Sequence, residues 1–152
     1  MSEYIHKSHN VSVLMYHFVC PAKYRRAIFS ERVSKTLVEI CTEISERYEI
    51  YFVEIGADKN HVHFLIQSVP KYSPTKIITV VKSVTAKRIF TIHPEIKKQL
   101  WGGELWTDVF FVNTVSKYGS EEIIKKYLQN QGKAEEYVLL QKTEEIDQLT
   151  LF

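Results

Sequence analysis

The sequence is short of cysteine, proline and glycine: its 152 residues hold two, four and five of them. Two cysteines, Cys20 and Cys41, are too few for a disulfide scaffold, which makes a reducing cytoplasm the expected location. With so little glycine and proline there is no collagen-like repeat and no low-complexity segment. Long apolar runs are also missing. None approaches the ~20 residues that span a bilayer, so no membrane association is expected. Met1 to Asn10 is polar and ends in no small-residue cleavage site, so no signal peptide is read there. Nor is there an excess of one charge. Net charge is +2 and the isoelectric point about 8.4, below the roughly 9 expected of a nucleic-acid-binding domain.

That near-neutral total averages two opposites. Residues 1–134 carry a net +6 and residues 135–152 a net −4. Residues 71–98 alone hold seven Lys or Arg against a single Glu. The expected organisation is one basic domain over 1–134 followed by an acidic C-terminal tail over 135–152. Hydrophobic residues make up 45% and charged residues 25%. A chain of this size buries roughly 68–70% of its unfolded surface and folds without a staple.

The apolar pattern alternates between two periods. Asn10 to Cys20 is rich in Val, Tyr and Phe and stops at Pro21, which predicts a strand, followed by the basic loop Lys23-Tyr24-Arg25-Arg26. Ser30 opens a helix with Val33, Leu37, Ile40, Cys41 and Ile44 at helical spacing. Glu49 to Ile55 and His61 to Val69 read as two strands joined by the turn Gly56 to Asn60. After the loop Pro70 to Pro74 comes a long amphipathic helix with Ile77, Ile78, Val81, Val84, Ile89 and Phe90. Leu105 to Val115 reads as a fourth strand, and Ser120 caps a last helix that stops at Gly132. The first six elements give β-α-β-β-α-β, so the expected fold is α+β, a ferredoxin-like antiparallel sheet with an added C-terminal helix.

Three constellations stand out. In His61-Val62-His63, residues i and i+2 of a strand point to one face, so both imidazoles project together and Val62 faces a core. Two converging imidazoles suit a divalent transition metal, and two exposed histidines at a strand end are the plain alternative. Glu54 and Asp58 flank the pair as a strand and a turn residue, and could serve as spare ligands. In the last helix, Tyr127 and Gln131 are four apart and share a face. A phenol can act as a nucleophile and an amide oxygen as a hard ligand; a half-buried core Tyr is the alternative. Third, Lys23, Tyr24, Arg25 and Arg26, with Lys76, Lys82, Lys87 and Arg88 of the long helix, combine cations for phosphates with an aromatic for stacking, or form a solvated charged face. Trp101 and Trp106 are expected in the core or at an interface. His6, His9, His17 and His93 show no comparable spacing and receive no role.

Together these residues resemble one family. His61-Val62-His63 is similar to the His-hydrophobe-His motif of the HUH nucleases, and Tyr127 followed by Gln131 resembles the single-tyrosine transposases of small bacterial insertion sequences, the insertion-sequence-two-hundred-like family. The segments YHFVCPAKYRRAIF, LWTDVFFVNTVSKYG and KKYLQNQG extend the likeness over roughly Val11 to Gln131. The resemblance implies a DNA transposase that cuts and rejoins single-stranded DNA with hairpin ends through a 5′-phosphotyrosine. It implies Tyr127 as nucleophile, and His61, His63 and Gln131 as ligands of Mg²⁺ or Mn²⁺. It also implies a homodimer whose Tyr-bearing helix, hinged near Gly119, can dock on the other subunit. The usual Asp before the His pair is Asn60 here. A domesticated relative acting on repetitive palindromes would share this chemistry, and a non-catalytic single-strand-binding module would need exposed aromatics on the sheet. Phe110 and Phe111 are adjacent, face opposite sides and cannot form a same-face stacking pair.

Overall fold

The structure, a computed structural model, describes residues 5–6, 11–12, 14–115 and 138–142, with side chains over 14–115. Two short strands, β1 (Ile5–His6) and β2 (Val11–Ser12), pair antiparallel with each other. The main chain of elements runs β3 (Leu14–Pro21), α1 (Glu31–Arg47), β4 (Ile50–Ala57), β5 (His61–Ser68), α2 (Pro74–Ile92), α3 (Pro94–Gln99), β6 (Phe111–Val115) and β7 (Val138–Lys142). Five of the strands form one antiparallel sheet in the order β6-β3-β5-β4-β7. Without β7, this is β-α-β-β-α-β with its strands in the spatial order fourth, first, third, second, as the α+β ferredoxin-like reading requires.

Helix α1 begins behind the cap that the sequence places, Ser30, and α2 begins at Pro74, inside the expected 70–74 loop, behind Ser73. Ser30 Oγ accepts from Val33 N at 3.3 Å, and Ser73 Oγ accepts from Lys76 N at 3.1 Å, with Pro74 at the first position of α2. Each cap satisfies one of the amide donors that a helix start leaves unpaired. Val33, Leu37, Ile40, Cys41 and Ile44 of α1 and Ile77, Ile78, Val81 and Ile89 of α2 are buried against Phe18, Cys20, Phe52, Ile55, Val62, Phe64 and Ile66 of the sheet. Burial pushes the Cys20 thiol up to about 12 and raises Cys41 as well, so both cysteines act as small core hydrophobes. This packing sets the register. Full burial of Val62, Phe64 and Ile66 contributes roughly 1.5–3 kcal/mol each. A one-residue slip would turn all three outward and drive His61 and His63 into the apolar layer.

The structure corrects several boundaries. Strand β3 starts at Leu14 and not Asn10, since Val11 and Ser12 pair with β1. It includes Pro21, which lies opposite His61, because a proline at a strand's end costs the ladder little. Gly56 and Ala57 belong to β4, opposite His63 and Val62, so the turn is only Asp58 to Asn60. Residues 105–110 are not strand. Leu105 and Trp106 are buried in the helix-side core, Thr107 N donates to Pro21 O, and β6 begins at Phe111. Trp106 is core, its indole N–H donating to Thr85 Oγ1 at 2.9 Å, but Trp101 is 82% exposed. The 102–103 turn beside Trp101 needs glycine, with φ of +84° and +71°. Finally, Val138–Lys142 pairs with β4 in a stretch for which the sequence predicts no element. The added helix with Tyr127 and Gln131, and its Ser120 cap, Gly119 hinge and Gly132 stop, lie outside the described residues.

Candidate active site

The face of the sheet opposite α1 and α2 carries His61, His63, Leu65 and Gln67 from β5, with His17 and Val19 from β3 and Phe111 from β6. Strand alternation puts them there. On β4 the register shifts between Phe52 and Glu54, a bulge that moves Glu54 off the helix side and onto the histidine side. His63 is fully buried and His61 mostly so, which excludes the plain reading of two exposed histidines.

Asp58, His61 and His63 form the one candidate metal group among the described residues, their donor atoms all within 4.8 Å of one another. Sequence reading leaves Asp58 as a turn residue with a spare carboxylate. In the structure its carboxylate is buried, with Oδ2 3.1 Å from His61 Nε2. The turn is tied down on three sides: Asp58 N donates to His61 O, Ala22 N to Asn60 O and Phe29 N to Lys59 O.

Each histidine has a partner on its other nitrogen. His61 Nδ1 is 2.7 Å from Asn60 Oδ1. At 3.1 Å from the Asp58 carboxylate, Nε2 donates to it; a cation bound between the two would replace that proton, with Nδ1–H then donating to Asn60, the arrangement that outer partners impose on metal-binding imidazoles. Asn60 is therefore an orienting residue. His63 Nδ1 is 3.3 Å from His17 Nε2, and the two rings stack at 5.6 Å with 5° between their planes. With His63 Nδ1–H donating to His17, His63 Nε2 carries the lone pair. Sequence reading assigns His17 no role. Its only local sign is parity, two positions from Met15 and Val19. Its place diagonal to His63 follows from the pairing of Val19 with His63, which no local pattern shows.

Burial lowers the His17 pKa to about 4, and burial, then the charges of His61 and His17, lower His63 to about 3. Both rings are thus neutral at pH 7, the state in which an imidazole binds a metal. Their folded values lie below the unfolded value of 6.5. Their contribution to stability is therefore present above pH 6.5 and is lost as pH falls toward 4 and 3. Each histidine should cost up to about 1.4 kcal/mol per pH unit in that window. Urea unfolding of metal-free protein at pH 7.5, 5.5 and 4.5 should show this decline, and His63→Leu should flatten it. An unchanged slope in that variant would detach the acid lability from His63.

The expected DNA-contacting cations are scattered. Lys23 is paired with Glu104 at 2.8 Å, Lys82 donates to Thr107 O at 2.7 Å and covers the Phe110 ring, and Arg88 is bidentate on Glu43. Lys76 and Lys87 are exposed on α2, across the sheet from the histidines. Tyr24, Arg25 and Arg26 stay exposed in the loop after β3. Tyr24 and Arg25 hold φ of +58° and +54°. A left-handed backbone costs a side-chain-bearing residue roughly 1–2 kcal/mol. The loop is kept there by Lys23 N donating to Leu105 O and Arg25 N to Ala22 O.

Fold and site thus define an α+β protein with two imidazoles and a carboxylate gathered at one face of a ferredoxin-like sheet. Residues 10–131 match the family model described as "Transposase IS200 like", and the chain belongs to that family. It is 29% identical over 118 residues to the ISDra2 transposase TnpA of Deinococcus radiodurans, covering 78% of this chain and 84% of that one. It is 24% identical over 116 residues to the transposase for insertion sequence element IS200 of Salmonella typhimurium, covering 76% and 75%. Among solved structures, a Deinococcus radiodurans chain assigned as a transposase superposes with a TM-score of 0.68 at 28% identity, covering 84% of this chain and 97% of that one. A tyrosine transposase bound to a REP hairpin shares the fold, with a TM-score of 0.51 at 8% identity, covering 84% and 68%. Membership implies DNA strand cleavage and transfer, with DNA as the partner. No described helix is long and apolar enough to cross a membrane.

Proposed function

We propose that the chain cleaves and rejoins single-stranded DNA at hairpin-bearing insertion-sequence ends, as a homodimer, through a covalent 5′-phosphotyrosine on Tyr127. The observation that carries this reading is the meeting of His61, His63 and Asp58 on one face of the sheet, in a chain whose family match runs on through Tyr127 and Gln131. The donor set fits a divalent ion: the buried, neutral His63 and the mostly buried His61, each with a partner on its second nitrogen, beside a buried carboxylate.

His61, His63 and Gln131 would hold Mg²⁺ or Mn²⁺, with Asp58 a further oxygen donor from the tied turn. Bound there, the ion would neutralise charge that builds on the scissile phosphate. Asn60 and His17 keep the two rings in the ligating tautomer. Tyr127 supplies the attacking oxygen. Its phenol gives up a proton and bonds to phosphorus, and the 3′ oxygen leaves and takes a proton. The product is a phosphodiester, so a second DNA 3′-OH can displace the tyrosine without ATP. The basic body over 1–134 is the DNA-binding unit, with Arg25, Arg26 and Tyr24 beside the site and Lys76 and Lys87 adding charge from α2.

Mixing the chain with a single strand carrying the element's end and Mn²⁺ or Mg²⁺ should give a denaturant-resistant adduct. That adduct should retain a 3′ label and release a 5′-labelled fragment ending in 3′-OH. Chelation should lower its yield at least about 100-fold. Full yield in chelator, or no adduct with either metal, would overturn the proposal.

A further inference from the structure

The two faces of the five-stranded sheet are covered differently. The buried apolar residues of α1, α2 and α3 all belong to the core on one face. On the histidine face Met15, Val53, His63, Leu65 and Gln67 are buried as deeply, with no described helix packed over them. The strand registers single out the stretch placed to cover that face. Strand β6 ends at Val115, opposite Met15, at the end of the sheet far from His61. Strand β7 begins at Val138, opposite Ala57, at the near end. These are the two outer strands, with β3, β5 and β4 between them. Residues 116–137 therefore join one edge at the far end to the other edge at the near end. That diagonal is roughly 25 Å, from strand spacings of about 4.8 Å and a rise of about 3.3 Å per residue. The helix predicted between Ser120 and Gly132 takes up about 16 Å. The rest of the segment reaches at most about 40 Å. Together they cross the histidine face with slack. A detour round the helix layer adds roughly 20 Å up and 20 Å down, more than this stretch of chain supplies. Tyr127 lies twelve residues past Val115 and eleven before Val138, at the middle of the segment. The middle strand of the sheet is β5, which carries His61 and His63.

We propose that residues 116–137 cover the histidine face of their own chain, so that each site is completed by Tyr127 and Gln131 of the same subunit. Strand β7 is the clasp. A helix held only at Val115 is free to reach a neighbouring subunit. One held at both edges of a single sheet stays on that sheet unless β7 unpairs from β4. The resemblance to the family leaves the other subunit open to this helix, and the pairing of Val138–Lys142 with β4 decides against it here. The role of Tyr127 in the site rests on the transposase reading, whereas the covering of the face does not.

Two measurements test this. In the first, full-length chain carrying Val19→Cys and Tyr127→Cys is treated with a short bismaleimide; Val19 lies beside His63 on the histidine face, and the native cysteines are buried. The two positions should be linked within one chain, giving a monomer-sized product on a denaturing gel with the link located by mass spectrometry. A dimer-sized product, or no link between the two positions, would overturn the proposal. The second measurement uses mixed dimers of an unsubstituted chain and a chain carrying Tyr127→Phe, His61→Gln and His63→Gln, isolated through a different tag on each. They should form about half the adduct of the unsubstituted dimer, because the intact chain holds one whole site. A shared site would lack either its tyrosine or its histidines in every mixed dimer, so adduct lowered by at least about 100-fold would also overturn the proposal. If the unsubstituted chain alone forms no adduct, the transposase reading falls and the cross-link still decides what covers the face.

Discussion

Tyr127→Phe should abolish covalent attachment to single-stranded DNA, lowering strand cleavage by at least about 10⁴-fold, while DNA affinity stays within about twofold. Loss of a covalent nucleophile removes the whole reaction path, and elsewhere such losses reach that size or more. Affinity should survive because the strand is held mainly by cations and stacking surfaces on the body, none of which the substitution touches. The change deletes a single oxygen and leaves the ring for packing. A half-buried structural tyrosine would lose little function by the same change, so the two readings of Tyr127 separate sharply. An adduct formed by the Tyr127→Phe variant at the unsubstituted rate would make the assignment untenable.

The second large effect is expected at the histidine pair. Replacing both His61 and His63 by Ala should remove Mn²⁺ binding in titration calorimetry and, with it, metal-dependent cleavage. The two imidazoles are two of the three described donors within 4.8 Å. With both gone, Asp58 alone cannot hold a divalent ion at neutral pH. Asp58→Asn should act more mildly, weakening metal binding by about 10- to 100-fold, as a lost partner at the edge of a site does. Because His63 is buried, His63→Gln should accompany the Ala variant to keep the space filled. Full cleavage by the double Ala protein would remove the metal group from the chemistry. Unaltered metal affinity in Asp58→Asn would return Asp58 to its role as a turn residue.

The acidic C-terminal segment also takes on a different meaning. Val138–Lys142 pairs with the outer edge of β4, so deleting it would uncover that edge as well as remove charge. Its acids are better neutralised than deleted when their effect on DNA binding is measured.

By itself the sequence determined whatever depends on neighbours along the chain. The period-two run His61 to Ser68 placed Val62 in the core and both histidines on the other face. The period-3.6 runs after Ser30 and after the loop at 70–74 defined the two helices and their buried sides. The order of elements then led to a ferredoxin-like α+β sheet, because few arrangements bury those faces together. The tertiary structure decided what depends on register between distant strands. His17 meets His63 only because β3 pairs with β5 at one offset. Asp58 turns inward only because the turn is pinned by Ala22 and Phe29, and the one-residue bulge in β4 carries Glu54 to the histidine side. Residues 105–110 left the sheet because burying Leu105 and Trp106 against the helices outweighs extending β6. A strand's own pattern says which way its side chains point. Only its partners say what those side chains meet there.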